Sequence, residues 1–302
     1  MINQRFINMR EAVMAKVFLI CACTSILALL LICVFLFVEG VPAIFEVGVA
    51  EFLLGREWAP ARQYPAQSLF GILPMIAGSI YFMIGAIVLG VPVGIFTAVF
   101  FARICPPWLY GILKPIVNLL AGIPSVVYGF FGMLVVVPLL QGPAQRFTAH
   151  LPGGASGASI AAASIILGIM ILPTIIAISE AAIRAVPENY YEGALALGAS
   201  HTRSVFFVLL PAAKSGILAS VILGIGRAIG ETMAVVLVAG NQARMPIHLF
   251  RGARSMTANI VIEMGYAYGL HRQTLISTAV VLLIFILIIN IVFTLLTKKK
   301  GR

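Results

Sequence analysis

The 302-residue chain contains no aspartate, and all ten of its acidic residues are glutamate. Every mechanism that needs an Asp is thereby excluded, including the Walker-B metal ligand of P-loop ATPases and a Ser-His-Asp triad. No GxxxxGK[ST] segment is present either, so the chain does not bind ATP through a P-loop. Charge of any sign is scarce. Only 10% of residues are charged and 61% are hydrophobic, against about 25% and about 45–50% in soluble globular chains. That leaves too little polar surface to cover a soluble core, and too little charge for disorder. Cysteine is sparse: Cys21, Cys23, Cys33 and Cys105 contain no CxxC pair. The four histidines, His150, His201, His248 and His271, fall in predicted loops and are far apart in sequence. No disulfide, metal site or catalytic constellation is expected, and the cysteines read as buried small apolar residues.

Long apolar runs are abundant, and each run of about 20 residues can cross the hydrocarbon core as a helix. The expected architecture is an all-α integral membrane protein with six transmembrane helices. The first span is Val17–Val38, uncleaved because its 22 apolar residues exceed a signal-peptide core and run into Glu39-Gly-Val-Pro42. The second lies near Ile72–Phe101, with Pro92 as an expected kink. The third falls between Lys114 and Arg146 and is interrupted at Gly122-Ile-Pro124. The fourth is Gly157–Ser179, the fifth Ile217–Gly240 and the sixth Leu275–Thr297. Residues 1–16 then form an N-terminal segment, 39–71 an outer loop, 72–297 a core of five spans, 180–216 a long inner loop and 298–302 a basic tail. With both termini cytoplasmic, twelve Lys and Arg flank the spans inside and seven outside, which satisfies the positive-inside rule. Glu39, Glu46, Glu51 and Glu57 in the first outer loop agree with this orientation. The last outer loop runs against it, since Arg244, Arg251, Arg254 and Arg272 face only Glu263.

The inner loop is organised. Pro187 ends one amphipathic piece, Glu188–Gly198 reads as a short helix stopped by glycine, and a second begins near His201 with Ser200 or Thr202 as its cap. Two short helices joined at a glycine make a knob projecting from the membrane. Its spacing is Glu192-Gly193-Ala194, three residues, Gly198, nine residues, Val208, one residue, Leu210-Pro211. This resembles the EAA motif of ABC importer permeases, E-A-A-x3-G-x9-I-x-L-P, with Gly193 for one Ala and Val208 for Ile. Leu120–Gly132 resembles the segment shared by the permease subunits of bacterial phosphate importers. Gly226-Arg-Ala-Ile-Gly-Glu-Thr-Met-Ala-Val, with the upstream Trp58-Ala-Pro and Phe70-Gly-Ile-Leu-Pro74, resembles the PstC-type subunits in particular. An ordinary amphipathic inter-span loop is the alternative for the knob.

Arg227 and Glu231 are the only charges inside a predicted span. Four residues apart, they are expected on one face of the fifth helix, beside the small pair Gly226 and Gly230 where a neighbouring backbone could pack. Intramembrane charges cost about 2.5–3.5 kcal/mol each on insertion scales and ordinarily mark a path or interior cavity. On this reading Arg227 lines a translocation path, Glu231 restrains its guanidinium, and Ser125 is a further path residue. A self-neutralising packing pair is the alternative. Gly122 and Pro124 are read as a kink or span end rather than chemistry. The outer arginines either attract an anionic partner or are solvated loop charges.

The resemblance implies a type I ABC importer permease fold in the bacterial inner (cytoplasmic) membrane, with inorganic phosphate as substrate. It implies that Glu192, Gly193, Ala194, Gly198, Leu210 and Pro211 couple to a separate PstB-type ATPase dimer, which uses the ATP. It also implies a homologous PstA-type permease subunit and a PstS-type phosphate-binding protein as partners. Beyond these and membrane lipid no cofactor or nucleic acid is expected, and the chain is not itself an enzyme. Other readings are a permease for another oxyanion such as molybdate or sulfate, an ion-coupled carrier, or a membrane scaffold. A carrier should show paired broken helices in an inverted repeat, and no clear repeat is visible.

Overall fold

The structure is a computed structural model that describes residues 4–60, 69–148 and 156–299. His150 and Lys300–Arg302 of the basic tail lie outside the described residues. The elements run α1 (Gln4–Val47), α2 (Val49–Leu54), β1 (Trp58–Ala59), β2 (Leu69–Phe70), α3 (Leu73–Val99), α4 (Pro107–Gly122), α5 (Ser125–Phe131) and α6 (Val137–Thr148). They continue as α7 (Ile160–Arg184), α8 (Glu188–Ala196), α9 (His201–Ser204), α10 (Leu210–Ala212), α11 (Lys214–Gly230), α12 (Met233–Val238), α13 (Met256–Glu263) and α14 (Gly269–Lys299). Three single-turn π-helices, Phe100–Ile104, Gly132–Val136 and Val205–Leu209, join neighbouring helices. Among the described residues five helical stretches are long and apolar enough to cross a membrane. A sixth counts if the pair His201–Ala212 and Lys214–Gly230, bent by 70°, is one span.

The centre of the bundle is α7, whose side chains Ile160, Ile166, Leu167, Met170, Ile171 and Ile175 are almost wholly buried. It packs most extensively on α3 and then on α11. Glycine sets the first contact. A Cβ on Gly90 would lie 2.7 Å from both the Gly168 carbonyl oxygen and the Ile171 side chain, so the two backbones approach closely because no side chain separates them. The long α1 packs on α14, where the Gly40 carbonyl accepts a 2.6 Å hydrogen bond from Ser277.

Several expected boundaries are corrected. The first helix does not end at Val38 but continues through Glu39-Gly-Val-Pro42 to Val47, because packing against α14 outweighs the local break that Gly40 and Pro42 would favour. Much of the expected outer loop 39–71 is therefore structured. It includes α2 and the antiparallel pair β1–β2, with Trp58 opposite Phe70. The interruption at Gly122-Ile-Pro124 falls between helices: α4 ends at Gly122, and the third span runs from Ser125 to Thr148. The fourth helix continues to Arg184, so Glu180 belongs to its buried end rather than to the loop. Cys21 and Cys23 are exposed and Cys33 and Cys105 half-buried, all as free thiols, so the expectation of buried cysteines does not hold within this chain. The first three sit on a helix covered on one side only.

Candidate functional site

The fifth span is broken where its charges lie. Helix α11 ends at Gly230, Glu231 is extended (φ −71°, ψ 130°), and α12 starts at Met233. Its 17 residues rise about 25 Å, short of the roughly 30 Å hydrocarbon thickness. The expectation that Arg227 and Glu231 share one helical face is thus overturned, and they form no ion pair among the described residues. Each is stabilised instead by a helix end. Arg227 lies in the last turn of α11, where the dipole and unpaired carbonyls favour a cation. Glu231 precedes α12, and its Oε1 accepts a 3.1 Å hydrogen bond from the Ala234 N–H. That satisfies a donor the helix start would leave orphaned. The Glu231 carbonyl accepts from the Thr257 hydroxyl at 3.0 Å.

Arg227 is half-buried, and its Nη1 donates to Thr174 Oγ1 at a long 3.4 Å. Thr174 follows Pro173 inside α7, and Tyr128 on α5 lies within electrostatic reach of the guanidinium. The structure thus gathers Arg227, Thr174 and Tyr128 from three helices. Ser125 opens α5, half-buried, one turn before Tyr128. Among the described residues nothing packs against Gly226, Gly230 or Gly122: a Cβ at any of them would meet nothing within 4 Å. Pro124 is the residue before α5 and marks the joint between α4 and the span.

In the loop between the fourth and fifth spans α8 and α9 are joined at Gly198, whose φ of +83° a side chain would strain. Ser200 caps α9 by accepting from the Arg203 N–H. Glu192, Gly193 and Gly198 are exposed, Ala194 half-buried, and Leu210 and Pro211 begin α10. Leu197 is 91% and Phe207 75% exposed.

Two buried carboxylates escaped the sequence reading. Glu180 accepts hydrogen bonds from Lys114 Nζ (2.6 Å), Tyr110 OH (2.7 Å) and Arg184 Nε (3.0 Å). The bond to Glu180 is the main reason the Tyr110 phenol is raised above its ordinary pKa, which keeps it a protonated donor. At the opposite end of the bundle Glu263 accepts from Arg254 Nη1 (2.5 Å) and from Trp58 Nε1 (2.8 Å), and meets His271 Nε2 at 2.9 Å. Arg254 also donates to Asn259 and to the Asn241 carbonyl. It is therefore a structural cation rather than a solvated loop charge or a free attractor. His271 stands in the first turn of α14 and His201 at the start of α9, not in loops. Among the described residues no group of His, Cys and Glu could hold a metal.

Residues 90–302 match the family described as binding-protein-dependent transport system inner membrane component. The chain is 39% identical over 278 residues to the probable ABC transporter permease protein YqgH of Bacillus subtilis, covering 89% of this chain and 86% of that one. It is 31% identical to the phosphate transport system permease protein PstC of Pasteurella multocida, covering 83% and 82% of the two chains. It is 33% identical to the probable PstC of Methanocaldococcus jannaschii, covering 85% and 84%. In fold it matches the inward-facing MetNI methionine ABC transporter with TM-score 0.53 and 20% identity, over 77% of this chain and 95% of that one. The chain belongs to the binding-protein-dependent transport system inner membrane components, as a multi-pass permease of the type I ABC importer fold.

Proposed function

We propose that this chain is the PstC-type permease subunit of an ATP-driven phosphate importer and forms half of its translocation path. The observation that carries the reading is Arg227. A half-buried guanidinium in an apolar bundle, held by a helix end and one long bond to Thr174, retains planar donors for a transient oxyanion. A guanidinium locked bidentate on Glu231 would have few to spare. Relatives named for phosphate transport supply the substrate class.

The knob at Glu192-Gly193-Ala194 and Gly198, followed by Leu210-Pro211, docks on a PstB-type ATPase dimer at the cytoplasmic face. The ATP is bound and hydrolysed there, and this chain holds no cofactor. The open face at Gly226 and Gly230 receives a PstA-type permease subunit, and a PstS-type binding protein delivers phosphate from outside. Both termini are cytoplasmic, in the bacterial inner membrane. Closure of the ATPase dimer on ATP moves the knob and opens the path outward, and hydrolysis resets it.

Arg227→Gln is expected to abolish phosphate uptake in proteoliposomes while membrane insertion, subunit assembly and basal ATP hydrolysis persist. Uptake at the normal rate would remove Arg227 from the path. Uptake driven by an ion gradient with no ATPase present would overturn the importer reading altogether.

A further inference from the structure

Glu180 is 3% exposed, yet it carries three hydrogen bonds from charged or polar side chains. A buried carboxylate is costly unless fully paired, and an apolar residue would pack this helix end at lower cost. Two of its partners, Tyr110 and Lys114, stand one turn apart on α4. The opposite face of α4, with Trp108, Ile112, Ile116 and Leu119, is exposed. The third partner, Arg184, also donates through Nη2 to the Phe101 carbonyl at 2.8 Å, in the π-turn after α3. That turn carries Arg103, whose Nη1 bonds both oxygens of Glu188 at 2.8 Å and whose guanidinium lies 5.4 Å from the Tyr191 ring centroid. Glu188 opens α8. A continuous run of short polar contacts therefore links the knob to α4.

From α4 the path continues through packing. The Tyr128 hydroxyl on α5 donates to the Leu120 carbonyl at 2.7 Å, across the Gly122-Ile-Pro124 joint. Helix α5 rests on α12, where a Cβ at Gly129 would lie 2.9 Å from the Ala234 Cα. Ala234 is the residue whose N–H Glu231 holds.

We propose that Glu180 is a positioning residue for coupling: it clamps α4 to α7, so that displacement of α8 reaches the break between Arg227 and Glu231. Directional, charge-assisted contacts suit this task, since they move as a unit where an apolar contact would slide. The inference rests on the function proposed above, in that it takes α8 as the ATPase-docking element.

The test uses the complete complex in proteoliposomes, with the native cysteines replaced and a single cysteine introduced by Leu119→Cys on the exposed face of α4. In the otherwise unaltered complex, vanadate trapping with ATP should change maleimide labelling at that position at least threefold. With Glu180→Gln the complex should assemble and hydrolyse ATP, lose that labelling change, and take up at least tenfold less phosphate per ATP. If Glu180→Gln fails to assemble, Lys114→Met leaves Tyr110 and Arg184 on the carboxylate and should give the same two losses. Labelling insensitive to nucleotide in the unaltered complex would overturn the proposal. So would an assembled variant that keeps both the labelling response and the normal uptake per ATP. Absence of phosphate uptake in the unaltered complex would instead refute the substrate assignment, while the labelling arm would still decide the role of Glu180.

Discussion

Arg227 owes its position to the end of one helix and Glu231 to the start of the next, and that separation shapes what each can do. A guanidinium with a long bond to Thr174 is oriented without being neutralised. Thr174→Val is expected to weaken phosphate binding by about 1 kcal/mol, roughly a fivefold rise in KM at unchanged kcat. Thr174→Ser should restore it, as uptake kinetics would show. The two buried carboxylates behave differently, because each is saturated by its partners. Glu263→Gln leaves Arg254 without its counter-ion in a site where both side chains are largely buried. A loss of about 3 kcal/mol is expected, read as a lowered melting temperature of the detergent-solubilised chain, with ATP-independent binding of the ATPase retained. Neither hub was visible as a hub in the sequence. Glu263 stood against four arginines in an apparent outer loop and Glu180 at a loop boundary. Trp58 and Lys114, which explain their burial, are 205 and 66 residues away along the chain.

At the level of helices, the apolar runs located the spans well but not their ends. Hydropathy reports where a helix can lie in lipid and is insensitive to a neighbouring helix that extends it. Val38 to Val47 stays helical against α14, and Glu180 to Arg184 stays helical against α4. The broken fifth span was misread for the opposite reason. Ile217–Gly240 is apolar apart from Ser220, Thr232 and the two charges, so its mean hydropathy does not signal the interruption at Glu231. The knob was the best-read element, because Pro187, Gly198 and Ser200 are local signals that no distant packing overrides. Gly198→Ala is expected to cost about 1 kcal/mol through its positive φ and to weaken ATPase association, measurable as a lower affinity in a pull-down titration. Gly90→Leu should be worse than any exposed substitution on α3. The added side chain meets the Gly168 carbonyl and Ile171, and overpacking of about 1–3 kcal/mol should appear as a lowered melting temperature.

At the scale of the whole molecule, two of the surfaces left open among the described residues are those the proposed partners would cover. One is the knob, where Leu197 and Phe207 stand exposed. The other is the face carrying Gly226 and Gly230, against which none of the described residues packs. Lipid would cover apolar residues there but has no need of glycines, whereas a second helix packs closely on them. Gly226→Leu and Gly230→Leu are therefore expected to leave the melting temperature of the isolated chain almost unchanged. Both should reduce recovery of the second permease subunit on co-purification. Equal recovery of that subunit would place the interface elsewhere.

Composition and local pattern were enough to establish a polytopic helical membrane protein, a knob bounded by Pro187 and Gly198, and a charged position in the fifth span. These properties depend on the solvent each segment prefers and on turn residues acting over a few positions. The break after Gly230, the different helix ends that hold Arg227 and Glu231, and the burial of Glu180 and Glu263 depend on groups distant in sequence that meet only when α4, α7, α11 and α13 pack. A carboxylate is buried when partners arrive to pair it, and no window of sequence contains them.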